Sequence, residues 1–170
     1  LFIADTGHHR VIVTGHDGRF LAAIGSGRRG SADGAASAAQ FAAPQGLAVH
    51  GSSLLVADTG NHAVRAVDLA SGRVTTIAGT GAFEPAAARG KPLASPTDLV
   101  VHHHSDGAGG DQVLVAMAGR HQIWRLDPSG ETAEPLAGSG EELRLDGDFA
   151  DSAFAAPSGL ALEARRLFVA

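Results

Sequence analysis

Short apolar runs separated by turn-forming residues follow one another along the whole chain. In one stretch the runs lie at 46–49, 54–57, 63–67 and 73–78. None of them is long enough for an ordinary helix, and Gly, Asp, Asn or Ser residues stand between them. The pattern therefore predicts short β-strands joined by tight turns, and an all-β fold.

The same pattern recurs at a nearly constant spacing. Copies start at residues 1, 54, 113 and 167, and their opening letters are LFIADTGHHRV, LLVADTGNHAV, VLVAMAGRHQI and LFVA. Turn pairs and prolines keep the same phase, at Asp17-Gly18, Ser71-Gly72 and Ser129-Gly130, and at Pro44, Pro96 and Pro157. Internal repetition of this kind indicates a repeat architecture.

Four short strands in each period of 50 to 60 residues are typical of a β-propeller blade. A β-helix would have a much shorter period, and an immunoglobulin-type sandwich would not repeat its own sequence. With strands named A to D from the central channel outward, the chain reads B-C-D, then two complete blades, then A-B. We expect thirteen strands, with four-stranded antiparallel sheets over 46–78 and 98–137 and no helix longer than one turn.

The repeats fill residues 1–170 as one partial propeller. The chain begins and ends inside an apolar, strand-like run, so we expect it to be truncated at both ends. About three blades cannot close a ring, since propellers have about four to eight. Unpaired apolar edges associate with other chains, so we expect the isolated segment to self-associate.

The turn at 57–62 with Val64-Arg65, and the strand at 44–48, resemble NHL repeats, and the resemblance covers the whole chain. The variant turn at 116–124 and the segments 137–142 and 154–160 are similar to the propeller of the NHL-repeat-containing protein two family. The resemblance implies a six-bladed ring, preceded by a thioredoxin-like domain as a partner within the same longer chain and followed by a small β-rich domain. That family's cysteine motif lies in the thioredoxin-like part, and this chain has no Cys, so no redox residue is carried over.

The composition of the chain limits the classes of partner that it is expected to bind. The formal net charge is −5 and no basic stripe is present, which argues against a nucleic-acid partner. No apolar run resembles a signal peptide or a membrane span, so no membrane partner is expected. The lack of Cys excludes disulfides but does not fix the compartment, for which the cytoplasm is preferred.

Loops alternate between the two ends of an up-and-down blade. The long D-to-A connections at 25–43, 79–95 and 138–156 should therefore share one face with the B-to-C turns at 5–9, 58–62 and 117–121. We call this the loop face. Its candidate binding residues are Asp5, His9, Asp58, His62, His121 and, near the start of a strand A, Asp98.

These candidates also have purely structural interpretations. The Asp residues are expected to cap their turns through their own side chains, and the phased His residues to hydrogen-bond to the neighbouring blade. Arg10, Arg65 and Arg125 lie at different distances from the phased His, so we expect each to pair with a nearby carboxylate or to face solvent. Ala4, Ala57 and Ala116 are expected to be buried at one equivalent position, with the bulk carried by Ile3, Val56 and Val115.

No metal or cofactor is expected. One His per blade does not provide converging ligands. Adjacent histidines in a loop can chelate Zn or Ni weakly, but the run His102-His103-His104, with Asp106 and Asp111, is expected to form a solvated hairpin. Asp146, Asp148 and Asp151 lack the spacing of a calcium loop and are interpreted as turn formers.

The function best supported by the sequence is a non-catalytic scaffold for protein or domain interaction. No nucleophile motif, P-loop or zinc-protease motif is present, and strand A offers mainly Leu and Val. The alternative is a metal-dependent propeller lyase or hydrolase with its site on the loop face. RNA binding ranks third because of the negative charge.

Overall fold

A computed structural model describes residues 1–81, 93–103, 110–164 and 166–170. Within these residues it contains thirteen β-strands. The first sheet consists of β1 (Phe2–Asp5), β2 (Arg10–Thr14) and β3 (Phe20–Ile24). The second consists of β4 (Pro44–His50), β5 (Ser53–Asp58), β6 (Ala63–Asp68) and β7 (Val74–Ala78). The third consists of β8 (Pro96–His102), β9 (Gln112–Met117), β10 (Gln122–Leu126) and β11 (Ala133–Ala137), and the fourth of β12 (Leu160–Glu163) and β13 (Arg166–Val169).

Every sheet is antiparallel and its strands lie in chain order. The thirteen strands, their grouping and the two four-stranded sheets are as the repeat predicts, and the chain is a portion of a β-propeller. Each complete sheet begins two residues earlier than expected, because Pro44 and Pro96 also pair with β5 and β9. A register irregularity then separates Pro44 from Leu47, and another separates Pro96 from Asp98.

The helical segments in the described residues are three-residue 3₁₀ turns at Thr6–His8, Thr59–Asn61 and Ala118–Arg120. They agree with the expectation of no helix beyond one turn. None of them is long or apolar enough to cross a membrane.

The core lies between neighbouring sheets, and strand β5 contributes to two layers of it. Leu54 and Val56 pack in the cluster shared with the first sheet, whereas Leu55 and Ala57 pack in the cluster shared with the third. Adjacent side chains of a strand point to opposite faces, so a central blade buries both faces of its strands. Such double burial explains why β5 and β9 are almost continuously apolar.

The expected alanine positions are confirmed in the two complete blades and only partly in the first. Ala57 and Ala116 are fully buried, as are Val56 and Val115 on the opposite face. Ala4 is half-buried and Ile3 is 49% exposed. The reason is that β1 forms the edge of its sheet among the described residues and nothing there covers the Ile3 face.

The connection at 25–43 is built onto the second sheet rather than projecting from it. Gly34 forms an isolated antiparallel bridge with Val74 of β7, and their backbone groups exchange two hydrogen bonds of 3.0 and 2.8 Å. Of the second long connection, residues 82–92 lie outside the described part of the chain. The third, at 138–156, closes on itself through a bridge between Leu145 and Ala153.

Candidate functional site

The B-to-C turns have one backbone geometry in all three copies. Each 3₁₀ turn ends at a histidine in the left-handed region, with φ of 56° at His9, 51° at His62 and 54° at His121. Non-glycine residues adopt this conformation infrequently, and His is among those enriched there. The turn therefore fixes the direction in which each histidine side chain leaves the backbone.

Each of these histidines accepts a hydrogen bond from the start of the next sheet. The ring Nδ1 atoms of His9, His62 and His121 accept from the backbone N–H groups of Ala43, Ser95 and Ala156, at 3.1, 2.9 and 3.1 Å. We call these three contacts the histidine bridges. They are the inter-blade hydrogen bonds that the phase of the repeat predicts. Since Nδ1 accepts, the ring is neutral and carries its proton on Nε2, and burial lowers the pKa of His62.

A threonine contact accompanies the first two bridges. The hydroxyls of Thr6 and Thr59 donate to the carbonyl oxygens of Pro44 and Pro96, each at 2.7 Å. In the third copy of the turn the threonine position is occupied by Ala118. There Thr97, on strand β8, donates to the Pro157 carbonyl at 2.8 Å. A residue from another strand thus preserves the contact, which the sequence repeat does not indicate.

A buried ion pair lies beneath the second turn. Neither Asp58 nor Arg65 is exposed, and Asp58 Oδ2 lies 2.8 Å from Arg65 Nη1. The carboxylate also accepts from the Ala42 N–H at 2.7 Å and from Asn61 Nδ2 at 2.8 Å. Burial raises the pKa of Asp58, although these donors and the arginine favour its ionised form.

The guanidinium of Arg65 holds the connection at 25–43. It donates to the backbone carbonyls of Gln40 and Ala32, at 3.0 and 3.1 Å, and lies 2.6 Å from Asp33 Oδ1 and 5.2 Å from the centre of the Phe41 ring. Its Nε is buried and has no hydrogen-bond partner among the residues that the structure describes.

Asp33 extends this network to strand β7. It accepts from the backbone N–H and the hydroxyl of Thr76, both at 3.0 Å. Although burial opposes the change, hydrogen bonds from Thr76 and Arg65 lower the pKa of Asp33. These contacts place the segment 25–43 and the turn 58–62 together on one face, as the alternation of loops predicts.

The third blade replaces the polar network with apolar side chains. By strand register, Met117 stands at the position of Asp58 and Trp124 at that of Arg65. Met117 is fully buried and Trp124 nearly so, with the Arg120 guanidinium 5.7 Å from the centre of the indole ring. Both members of the ion pair are thus changed together, so neither charge remains buried without the other.

The capping role expected of the Asp residues is wrong. No side-chain capping bond is present at Asp5 or Asp58. Asp58 points instead toward Ala42, Asn61 and Arg65. Asp5 accepts from His8 Nδ1 at 2.7 Å and Arg10 Nε at 2.8 Å, and these bonds lower its pKa. In both copies the carboxylate accepts hydrogen bonds from side chains and not from the backbone of its own turn.

Arg10, Arg65 and Arg125 each contact a carboxylate, which is the first of the two alternatives expected from the sequence. Arg10 pairs with Asp5, Arg65 with Asp58 and Asp33, and Arg125 with Glu134.

Asp98 joins the inner strands of successive sheets. Its Oδ1 accepts from the Leu99 N–H at 2.9 Å, and its Oδ2 accepts from the Leu160 N–H of β12 at 2.8 Å. A Cβ at Gly46 would lie only 2.6 Å from the Asp98 Cα, so glycine permits the close approach of β4 to β8. Asp98 is therefore part of the blade interface and does not converge with the phased Asp and His residues.

A histidine cluster lies at the A-to-B hairpins, away from the loop face. His50 Nε2 and His103 Nδ1 both contact Asp111 Oδ2, at 3.0 and 2.8 Å. The two imidazole rings are stacked, with centroids 6.2 Å apart. His50 comes from the neighbouring blade, so the sequence did not reveal it. His104 and Asp106, which belong to the same predicted hairpin, lie outside the described residues.

Other candidate ligands are dispersed. In the described part of the chain, no group of three or more His, Asp or Glu side chains is arranged to hold a metal ion. Asp146, Asp148 and Asp151 are exposed, and the backbone bond from Asp151 N to Asp148 O forms a turn. A cavity of about 1140 Å³ opens between the third sheet and β12–β13, lined largely by apolar side chains such as Leu114, Ile123, Leu136, Phe154 and Leu167.

Comparison with known proteins identifies relatives that match the whole chain. NHL repeat-containing protein 2 of Gallus gallus is 41% identical over 192 residues, which cover 100% of this chain and 26% of the relative. The Homo sapiens protein of the same name is 38% identical over 95% of this chain and 25% of its own length. Protein SUPPRESSOR OF QUENCHING 1, chloroplastic, of Arabidopsis thaliana is 39% identical over 95% of this chain and 16% of its own length. The chain thus spans about a quarter or less of these relatives, and no family model matches it.

Solved structures agree on the fold. An auxiliary nutrient binding protein from Bacteroides thetaiotaomicron superposes with a TM-score of 0.73 over 99% of this chain and 42% of its own, at 15% identity. An auxiliary nutrient binding protein from Bacteroides ovatus superposes with a TM-score of 0.57 over 79% of this chain and 34% of its own, at 18% identity.

Proposed function

Because the chain is made of NHL repeats that fold as blades of a β-propeller, we propose that it serves as a non-catalytic scaffold whose loop face docks another domain or protein. The observation that supports this proposal is that the phased polar side chains form hydrogen bonds with other parts of the blades. Asp58, Thr59 and His62 all bond to the entry of a sheet. A catalytic or metal site would need such groups to converge on a substrate.

The same observation disfavours the metal-dependent lyase or hydrolase. The enzyme would draw on His9, His62 and His121, whose Nδ1 atoms already accept backbone hydrogen bonds. It would also draw on Asp98, both of whose oxygens accept backbone hydrogen bonds.

The partner we propose is a thioredoxin-like domain of the same longer protein. The length of the relatives supports this proposal, since the chain matches only about a quarter of the vertebrate proteins. The loop face carries exposed groups for such docking, including Arg28, Arg29, Glu141 and Glu142.

Hydrogen exchange measured with and without the thioredoxin-like domain tests the proposal. We expect slower exchange in loop-face peptides from 25–43 and 138–156, and no change in the C-to-D hairpins on the opposite face. Arg28→Glu/Arg29→Glu should weaken the protection. The matched control is Arg19→Glu/Arg73→Glu, which makes the same charge change at exposed positions of those hairpins. Protection confined to the hairpin face, or none, would overturn the proposal.

A further inference from the structure

The residues that receive the histidine bridges hold an unfavourable backbone conformation. Ala43, Ser95 and Ala156 have φ of 51°, 49° and 48°, in the left-handed region. None is glycine, and each directly precedes a proline, where the preferred backbone is extended. A non-glycine residue in this region is strained and stays there only when its surroundings hold it. The histidine bridge supplies one of the contacts that hold it.

The bridge exists in one protonation state only. The donor is a backbone N–H that cannot be removed, and the acceptor is the lone pair of Nδ1. A protonated imidazole has N–H groups at both nitrogens and accepts nothing. Protonation therefore places two donors against each other at His9, His62 and His121, which are half-buried.

We propose that the three histidine bridges form a pH-dependent lock between successive blades, closed at neutral pH and released on mild acidification. The folded state binds the neutral ring, so each bridge contributes fully at neutral pH and is lost as the ring takes up a proton on acidification. The inference concerns the blade interface and does not depend on the docking function proposed above.

Charged groups near the bridges already have partners or lie in exposed segments. On the histidines' own turns, Asp5 binds His8 and Arg10, Asp58 binds Arg65, and the Arg120 guanidinium lies over Trp124. Facing His9, the segment 25–43 carries exposed Arg28 and Arg29 and the network residue Asp33. Facing His62, the described residues 93–97 carry no charge, and Asp98 binds backbone N–H groups. Facing His121, the segment 138–156 carries exposed carboxylates at Glu141, Glu142, Asp146, Asp148 and Asp151, and exposed Arg144.

Acidification has the opposite effect on the contacts of His50 and His103 with Asp111. The imidazole nitrogens of both histidines contact a carboxylate, and a protonated imidazole binds a carboxylate more strongly. Acidification to pH 5.5 therefore maintains this contact while it breaks the histidine bridges.

Amide hydrogen exchange of the protein at pH 7.5 and 5.5, corrected for intrinsic rates, tests the lock. We expect the protection factors at Ala43, Ser95 and Ala156 to fall about tenfold, because pH 5.5 lies about one unit below the pKa of a free imidazole, about 6.5, and a protonated ring no longer accepts the hydrogen bond. Amides in the middle of β5 and β9 should change less.

The matched variant is His9→Asn/His62→Asn/His121→Asn. Asn tolerates the left-handed region, and its side-chain oxygen reaches the place of Nδ1 without titrating. Its protection factors at the three amides should be the same at both pH values. An equal loss in the variant, or no loss in the wild type, would overturn the proposal. If the variant does not fold, ¹⁵N spectra of the wild-type histidine rings, which report their protonation, test the proposal instead. Protonation of the three rings at pH 5.5 together with loss of amide protection supports the lock. Protonation without that loss refutes it, and so do rings that stay neutral at pH 5.5.

Discussion

Asp58 and Arg65 form an ion pair in which neither side chain reaches solvent, with Asp58 Oδ2 lying 2.8 Å from Arg65 Nη1. The pair links the end of β5 to β6, and through the other donors of the guanidinium it holds the segment 25–43 on the second sheet. The third blade has Met117 and Trp124 at the same two positions. One fold thus accommodates a buried polar pair and an apolar pair at equivalent sites.

We expect Asp58→Met to lower the free energy of unfolding by about 3 kcal/mol, the lower end for a broken buried pair, since it removes the buried carboxylate beside Arg65 and leaves only the half-exposed Asp33 as its partner. Asp58→Met/Arg65→Trp should recover part of this loss, because it copies the third blade. Urea unfolding measures both. Arg125→Met is the control, because its pair with Glu134 is solvent-exposed and its loss should cost at most about 1 kcal/mol. A double variant no more stable than Asp58→Met would contradict the equivalence of the two sites.

Thr97→Val should lower the free energy of unfolding by about 1 kcal/mol, because it removes the hydrogen bond to the Pro157 carbonyl. Adding Ala118→Thr should restore part of the loss by placing a hydroxyl where the other two turns have one. Thr75→Val, at an exposed position of β7, serves as the control and should have little effect. If Thr97→Val behaves like Thr75→Val in urea unfolding, the compensating role of Thr97 is wrong.

Asp33→Asn should release the segment 25–43. We expect hydrogen exchange of peptides from 26–40 to rise about fivefold, equivalent to the loss of about 1 kcal/mol of local hydrogen bonding, while the middle of β9 is unchanged. The pKa of Asp33 is lowered in the folded state, so its contribution is complete above the unfolded value of about 3.9 and is lost as pH falls through the folded pKa. Exchange in the wild type should therefore approach that of the variant only in strong acid. Equal exchange in the two proteins at pH 7 would contradict the anchoring role.

The periodicity of the sequence was sufficient to predict the features that recur in every repeat. Strand order, the shared face of the loops and the hydrogen bonds of His9, His62 and His121 all recur in phase. The ion pair of Asp58 with Arg65 was missed because it depends on the register between β5 and β6. Thr97 was missed because it replaces a phased residue from another strand, and His50 because its partners come from the next blade. Contacts between side chains of different repeats do not produce a recurring spacing within a single repeat, so the sequence pattern does not reveal them.

We propose that the 170-residue chain by itself self-associates. Large apolar side chains are exposed on its outermost sheets and on the segment 138–156, at Leu1 (58%), Ile3 (49%), Phe149 (68%) and Phe168 (51%). Such patches and unpaired edges favour association. Light scattering after gel filtration should give masses above the 17.1 kDa of the monomer, and Ile3→Lys should reduce them. A monodisperse monomer that unfolds cooperatively on heating would show that the exposed edges do not cause self-association.

We propose that the phased His residues fasten successive blades together, that Asp58 stabilises its own blade through Ala42, Asn61 and Arg65, and that none of them performs chemistry. Isothermal titration of the protein with Zn²⁺ tests this most directly, since imidazole and carboxylate are good zinc ligands whenever they are available. We predict no stoichiometric site of micromolar or tighter affinity, in the wild type or in His62→Ala. A micromolar or tighter site in the wild type that disappears in His62→Ala would contradict the scaffold function and favour the metal-dependent enzyme.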